Sequence, residues 1–402
     1  MSEECLKETK FEITHHDNCT GCAACATICP ASCITMKPDK DGFYYPDIDV
    51  KSCISCNMCK RICNTKSGNE KEISLQKKEV DDEKSGWDVQ AYACYNKDIA
   101  ARLRASSGGI FELLAKQILK ENGVVFGVKM EGLKAVHSYA ERVEDLKDLL
   151  GSKYMQSEVG DAYKKAKQFL EQGRYVLFSG TPCQVDALNK VLRKKYEKLL
   201  MVDFICHGTS SPKVFQRYVR ENIGDNKIIK NISFRDKTEG WNCFSMRIES
   251  EDVYRKNMYE DIYLKSFLKN MNLRTSCFSC KHRKVDRTSD LTLGDFWGSN
   301  EVFEDWKEDI GYSVILIQSK QGKQLFKEIE DSIVFQKVEI EKIIEYNHSI
   351  IASPWDEFSR DLFFKYLKKN TLENSIIKVE QNGMQKKILR KWWKICKKIK
   401  QK

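Results

Sequence analysis

No apolar run in this sequence is long enough to cross a bilayer, which takes about 20 residues. The opening, MSEECLKETK, is polar and charged and lacks the apolar stretch of a secretory signal. A cytoplasmic protein is therefore expected, in a compartment where thiols stay reduced. That makes disulfides a poor explanation for 17 cysteines in 402 residues and leaves metal or redox chemistry. No Gly-x-Gly-x-x-Gly occurs, which argues against NAD in a standard dinucleotide-binding turn. Low-complexity tracts are absent as well. A general excess of charge is also lacking, despite a formal net charge of +10. The last seventeen residues, KKILRKWWKICKKIKQK, hold nine Lys and Arg and no acid, and the other residues carry 59 bases against 58 acids. The basic character is a property of the tail, so the body is not read as a nucleic-acid binder.

What is present is thiol, in two dense blocks. CTGCAACATICP carries Cys19, Cys22, Cys25 and Cys29, and CISCNMCKRICN carries Cys53, Cys56, Cys59 and Cys63. Zinc usually takes two close pairs separated by a longer loop. The spacing here, C-x2-C-x2-C-x3-C, is tighter and is the bacterial ferredoxin signature, in which the fourth Cys of each block ligates the other cluster. The expected ligand sets are Cys19, Cys22, Cys25 and Cys63 for one 4Fe-4S cluster, and Cys53, Cys56, Cys59 and Cys29 for the other. Pro30 follows the first block as the pattern expects, whereas Asn64 stands where Pro is usual. Cys5 and Cys33 are read as bystanders, and His15 and His16 as surface residues.

The hydrophobic content of 41% suffices for a globular body. Its apolar runs alternate between strand and helix. VVFGVKM, RYVLFSG (174–180) and KLLMVDFICHG (198–208) read as buried strands between the amphipathic helices IFELLAKQILKENG, DAYKKAKQFLEQG and QVDALNKVL. NISFRD and CFSMRIES read as antiparallel strands, and YSVILIQS adds a strand before a mostly helical remainder. The order implies an α/β sheet with parallel pairs. In such sheets ligands gather at the carboxyl ends of adjacent strands. SGTPCQ and FICHGTSSP sit at two such ends and carry Cys183 and Cys206, and CFSC supplies Cys277 and Cys280. These four cysteines form a candidate third site, for iron–sulfur or zinc, for redox or ligand contact, or for packing alone. RASSGGIFELL places Ser106, Ser107, Gly108 and Gly109 before a helix, where free amides favour an anion or nucleotide or where the serines act only as a cap.

Five motifs in this order, RASSGGIF, GSKYMQS, GTPCQVDAL, CHGTSSP and CFSCKHRKVDRTSDLTLGDFWG, resemble the family of coenzyme F-420 hydrogenase/dehydrogenase beta subunits over about residues 19 to 300. That family comprises iron–sulfur flavoproteins whose members reduce coenzyme F-420 or chlorophyll derivatives. The resemblance implies FAD at Ser106, Ser107, Gly108, Gly109, Lys153, Tyr154, Gly180, Thr181 and Pro182. It implies an α+β and α/β multidomain chain. Its parts would be a bacterial-ferredoxin-like 2x(4Fe-4S) domain (1–66), a charged linker (67–86), an α/β flavin-binding domain (87–300), a C-terminal extension (301–385) and a basic tail (386–402).

The function expected is an FAD-dependent iron–sulfur oxidoreductase. Electrons from reduced ferredoxin or a similar donor would pass two 4Fe-4S clusters and FAD to a small organic substrate, in polysaccharide or cofactor metabolism. Lys153, Cys183, Cys206 and His207 are the candidate catalytic residues, with Lys153 or His207 supplying a proton. Asp295 is read as fixing a turn. The alternative is a non-catalytic electron-transfer subunit of a partner enzyme. In the tail, Leu389, Trp392, Trp393, Cys396 and Ile399 share one helical face among Lys and Arg, the pattern of a helix lying on the inner face of a membrane or on an acidic partner. A frayed terminus is the plainer reading of the same residues. Oligomeric assembly is left open.

Overall fold

The computed structural model describes residues 12–65 and 88–381. The charged linker, the basic tail and Cys5 lie outside the described residues. The front unit has an internal two-fold repeat visible in its backbone. Short helices Ala24–Ile28 and Met58–Ile62 each follow a residue in the left-handed conformation, Ala23 (φ 61) and Asn57 (φ 57). Two residues earlier Gly21 and Ser55 adopt it too, with φ of 68 and 54. Alternating left-handed residues between the cysteines curl each loop, so that successive thiols and amides face a common centre. Strands β1 (Ile34–Pro38) and β2 (Tyr44–Ile48) form an antiparallel hairpin beside the helices. Phe43, at the hairpin turn, is fully buried among Val214, Phe215 and Phe364 of the body. Burying such a ring stabilises the docking by about 1.5–3 kcal/mol. Asp41 beside it is held by Arg360 at 3.1 Å.

The body is one mixed sheet of nine strands. Its strands are β3 (Gln90–Asn96), β4 (Val124–Glu131), β5 (Lys134–Ala140), β6 (Ser157–Glu158), β7 (Val176–Ser179) and β8 (Leu199–Phe204), and after an insertion β12 (Leu291–Asp295), β13 (Ser313–Ile317) and β14 (Ile333–Lys337). The order across the sheet is β14-β3-β13-β12-β8-β7-β4-β5-β6. β4, β7, β8 and β12 run parallel, as the alternation of strands and helices predicts. Helices Ala162–Glu171 and Pro182–Leu192 cover one face through Tyr163, Ala166, Val185 and Leu188. Helix Ile110–Lys120 covers the other through Ile110, Leu114 and Ile118. The insertion holds a separate antiparallel sheet of β9 (Asn231–Asp236), β10 (Ser245–Glu249) and β11 (Val253–Asn257).

The boundary expected at residue 300 does not divide the body. β13 lies between β3 and β12, so the chain on either side of 300 shares one sheet. The sequence shows an apolar run at 313–317 but not its neighbours. Among the described residues four α-helices do follow residue 300, Lys320–Lys327, Ile340–Tyr346, Glu357–Leu367 and Leu372–Gln381. No helix among the described residues is long and apolar enough to cross a membrane.

Candidate functional site

The thiols of the front unit gather into the two expected sets. Cys25 feels the charges of Cys19, Cys22 and Cys63, so the fourth cysteine of the second block has joined the first three of the first. Cys29, Cys53, Cys56 and Cys59 line a cavity on the other side. Cys33, read from the sequence as a bystander, lines that cavity too.

A third set forms in the body. Cys183, Cys206, Cys277 and Cys280 line one cavity, at the carboxyl ends of β7 and β8 where the topology directs ligands. Pro182 opens the helix that carries Cys183, and Thr181 caps it through a reciprocal pair of hydrogen bonds with Gln184. The amide of Thr209 donates to the Cys277 sulfur at 3.4 Å. Burial pushes the Cys206 thiol up to about 12, and raises Cys183 and Cys277 as well. Burial thus disfavours the thiolate at Cys183, Cys206 and Cys277, whereas coordination to metal deprotonates a thiol outright. Among the described residues no three His, Cys, Asp or Glu side chains close tightly enough to hold a single metal ion. Thiols are the main donors of both cavities, the second of which His282 also lines, and thiol-rich sets suit an iron–sulfur cluster.

The first thiol set lies against the third. Thr20, between Cys19 and Cys22, lines the Cys183 cavity, and Cys183 feels the charge of Cys22. The Tyr163 hydroxyl is shared between the carbonyls of Cys22 at 3.0 Å and Gln184 at 3.1 Å. Arg274, three residues before Cys277, is 1% exposed and donates from Nε to the Cys19 carbonyl at 2.7 Å. Its guanidinium lies 3.9 Å from the centre of the Tyr45 ring. Asn64 explains its departure from the proline of the pattern. Its Nδ2 donates to the Asp186 carboxylate at 3.1 Å and lies 3.5 Å from both the Cys183 carbonyl and the His282 ring. A proline would offer no donor to the body.

The other expected residues fall into two groups. Gly180, Thr181 and Pro182 belong with the third thiol set, where Pro182 lines the cavity. Ser106–Gly109 meets Lys153 and Tyr154 at a separate place. Ser106 Oγ accepts from the amide and hydroxyl of Ser152 at 2.7 and 2.9 Å. Ser107 donates to the Tyr312 carbonyl, and the Gly108 amide donates to Ser313. A Cβ on Gly108 would lie 2.8 Å from the Cys94 carbonyl, so this glycine permits a close approach of chain to β3. Both serine hydroxyls are thus engaged within the protein, Ser106 as an acceptor and Ser107 as a donor, and the Ser106 O–H remains as a donor.

Lys153 Nζ donates to the carbonyls of Leu150 and Asp148, and burial pushes its ammonium down to about 7. Tyr154 stacks on Phe267 at 4.5 Å, and Phe267 in turn packs 4.8 Å from His207. The aromatic row connects the Lys153 region to the Cys206 loop. The His207 Nε2 lies 3.2 Å from the Phe267 carbonyl, and burial lowers its basicity. Its ring proton is committed to that carbonyl, which makes His207 a weaker proton source than Lys153.

Sequence reasoning missed Arg235 and Lys237. Arg235 sits beside Tyr154, pairs with Asp295 at 2.7 Å and packs over Phe244 and Trp297. Its Nε and Nη2 are buried without a hydrogen-bond partner. Asp295 therefore holds a buried arginine rather than a turn. Lys237 donates to the carbonyls of Arg102, Ser107 and Ile310, clasping the Ser106–Gly109 segment.

Residues 173–343 match the family described as the C terminus of the coenzyme F420 hydrogenase/dehydrogenase beta subunit, and residues 18–67 match the 4Fe-4S dicluster domain. One subunit of the F(420)H(2) dehydrogenase from Methanosarcina mazei is 23% identical over 230 residues, which cover 53% of this chain and 62% of that protein. The match therefore spans less than two thirds of the length of that curated relative. A xenon-derivatised structure of the F420-reducing [NiFe] hydrogenase complex from Methanosarcina barkeri contains a chain that aligns with a TM-score of 0.43 and 18% identity, over 75% of this chain and 92% of that one. The chain thus carries, behind a 4Fe-4S dicluster domain, a domain of the family of coenzyme F420 hydrogenase/dehydrogenase beta subunits.

Proposed function

We propose that the chain is an iron–sulfur flavoprotein oxidoreductase that moves electrons between a ferredoxin-type donor and a small organic substrate. The observation that carries this reading is the row of three four-thiol sets, with the middle one tied to the third by Asn64, Tyr163 and Arg274. Cys53, Cys56, Cys59 and Cys29 hold the outer 4Fe-4S group, Cys19, Cys22, Cys25 and Cys63 the middle one, and Cys183, Cys206, Cys277 and Cys280 the third. When bound, the clusters supply single-electron carriage and FAD supplies the exchange of single electrons for a hydride equivalent.

The residues around Tyr154 fit an anionic, aromatic cofactor. Arg235 offers two unspent buried donors, and Tyr154 offers a ring within an aromatic row. Lys153, with its ammonium near neutrality, holds or releases a proton beside that place. Ser106, Ser107, Gly108 and Gly109 present their backbone, fixed by Lys237. The relative from M. mazei is named for F420H2, so the oxidised form of that coenzyme is the first electron acceptor to offer.

That relative is named as one part of a larger dehydrogenase, which favours a second reading, an electron-transfer subunit serving a partner enzyme. Protein isolated without oxygen, followed by absorption before and after dithionite and by extraction of its flavin, separates the two. About one FAD per chain over a bleachable iron–sulfur envelope supports the oxidoreductase. An iron–sulfur envelope with no FAD, and none bound on addition, supports the electron-transfer role.

A further inference from the structure

The outer thiol set has five members. Cys33 is 7% exposed, and its sulfur lies 3.4 Å from that of Cys29. It lines the same cavity as Cys29, Cys53, Cys56 and Cys59, packing directly against Cys59 and Ile34. Its backbone is fixed, because the Cys33 carbonyl accepts from the amide of Asp49 at the far end of the hairpin. The turn between the two cysteines is closed by the Ser32 amide on the Cys29 carbonyl, with Ser32 itself at φ 50. The pair is thus held at van der Waals contact by the fold rather than by a chance rotamer. Beside the middle set's Cys19, Cys22, Cys25 and Cys63, the further cysteine that feels Cys22 is Cys183 of the third set, whereas the outer set has a fifth thiol in its own cavity.

Two neutral sulfurs in a core would ordinarily be packing. Here both line a cavity whose walls include the three remaining thiols of a cluster site, together with apolar side chains such as Ile34 and Ile48. A thiolate can leave one iron and a second thiolate can take its place if the second is within reach of the same corner and a proton can be exchanged. Both conditions hold for Cys33.

We propose that Cys33 is a reserve ligand of the outer cluster, able to replace Cys29. One iron–sulfur bond to Cys29 breaks and one to Cys33 forms. The proton of the Cys33 thiol passes to the departing Cys29 sulfur across their contact, so no electron moves and no outside acid or base is required. The fifth thiol preserves the cluster when Cys29 is oxidised or alkylated. This inference rests on the reading of Cys29, Cys53, Cys56 and Cys59 as a 4Fe-4S site.

The test compares iron, acid-labile sulfide and the reduced electron paramagnetic resonance spectrum of anaerobic wild type, Cys29→Ala, Cys56→Ala and the double variant Cys29→Ala/Cys33→Ala. Cys29→Ala is expected to keep the wild-type iron and sulfide. The double variant is expected to lose about four iron per chain, and Cys56→Ala, which removes a ligand on another side of the cavity, to lose iron as well. Iron loss in Cys29→Ala equal to that in Cys56→Ala overturns the proposal. Cys29→Ser, close in volume to the native side chain, carries the same comparison should the alanine protein not fold. A wild type without iron would sink the cluster reading itself, an outcome distinct from loss confined to Cys29→Ala.

Discussion

Replacing Arg274 with Met tests whether the front unit is locked to the body through the first thiol set. The substitution removes a charged donor from the Cys19 carbonyl at 2.7 Å and from Gln156 Oε1 at 3.3 Å. Hydrogen bonds from a charged group contribute about 1.5–3 kcal/mol each. The lost cation–π contact with Tyr45, at 3.9 Å and buried, adds about 2 kcal/mol. Against this, the guanidinium is itself costly to bury, since its Nη2 finds no partner, and methionine returns apolar contact. The net loss is about 2–4 kcal/mol, which raises the frequency of local opening roughly 30- to 1,000-fold. Anaerobic hydrogen exchange read over residues 12–65 measures that opening, and the rate of iron release to a chelator reports it at the cluster. Arg142→Met, which breaks an exposed pair with Asp145, is the control expected to change neither. Exchange in residues 12–65 within about threefold of wild type would refute the claim that Arg274 locks the two units.

Other expectations follow from the same geometry. Gly21→Ala places a Cβ 2.2 Å from Gln156 Nε2 at φ 68, and should lower the denaturation midpoint by about 1–3 kcal/mol equivalent and release iron from the middle set. Arg235→Gln should lower retained FAD severalfold on gel filtration while iron content stays constant, because the two unspent donors are the ones offered to the cofactor. Lys153 and Lys237 are both pushed down to about 7 from the ordinary 10.5, with burial as the largest cause. The folded chain therefore binds fewer protons than the unfolded chain between those values, so stability rises with pH from about 7 toward 10. Lys153→Met should flatten part of that rise in anaerobic urea unfolding at pH 6, 7.5 and 9, and an unchanged slope would contradict the burial of this ammonium.

The two cysteine blocks were legible because their chemistry is local. Cys19 to Cys29 and Cys53 to Cys63 each lie within eleven residues, and the left-handed backbone at Ala23 and Asn57 follows from winding a short loop around a centre. The third set was legible as a candidate site at the strand ends, but not in the contacts that bring its loops together. Cys183 and Cys277 are far apart in sequence, and only the parallel order of β7, β8 and β12 brings their loops together. Arg235, Lys237 and Arg274 left no signal, since a buried cation is recognised by partners 60 to 255 residues away. Asn64 did leave one. A donor standing where the pattern places a residue without an N–H marks a contact, here to Asp186. The FAD expectation shows the opposite difficulty: Ser106 and Ser107 look like ligand groups in sequence, yet Ser106 Oγ accepts from Ser152 and Ser107 Oγ donates to Tyr312.

The central claim is that three thiol sets, not two, hold 4Fe-4S groups in series. Its most direct test is the iron and acid-labile sulfide content of anaerobically isolated wild type beside Cys183→Ala. The account predicts about twelve iron and twelve sulfide per chain in the wild type, and about eight of each in the variant with the dicluster signal retained. About eight in both proteins would show that the third cavity carries no cluster and that the row ends at the front unit.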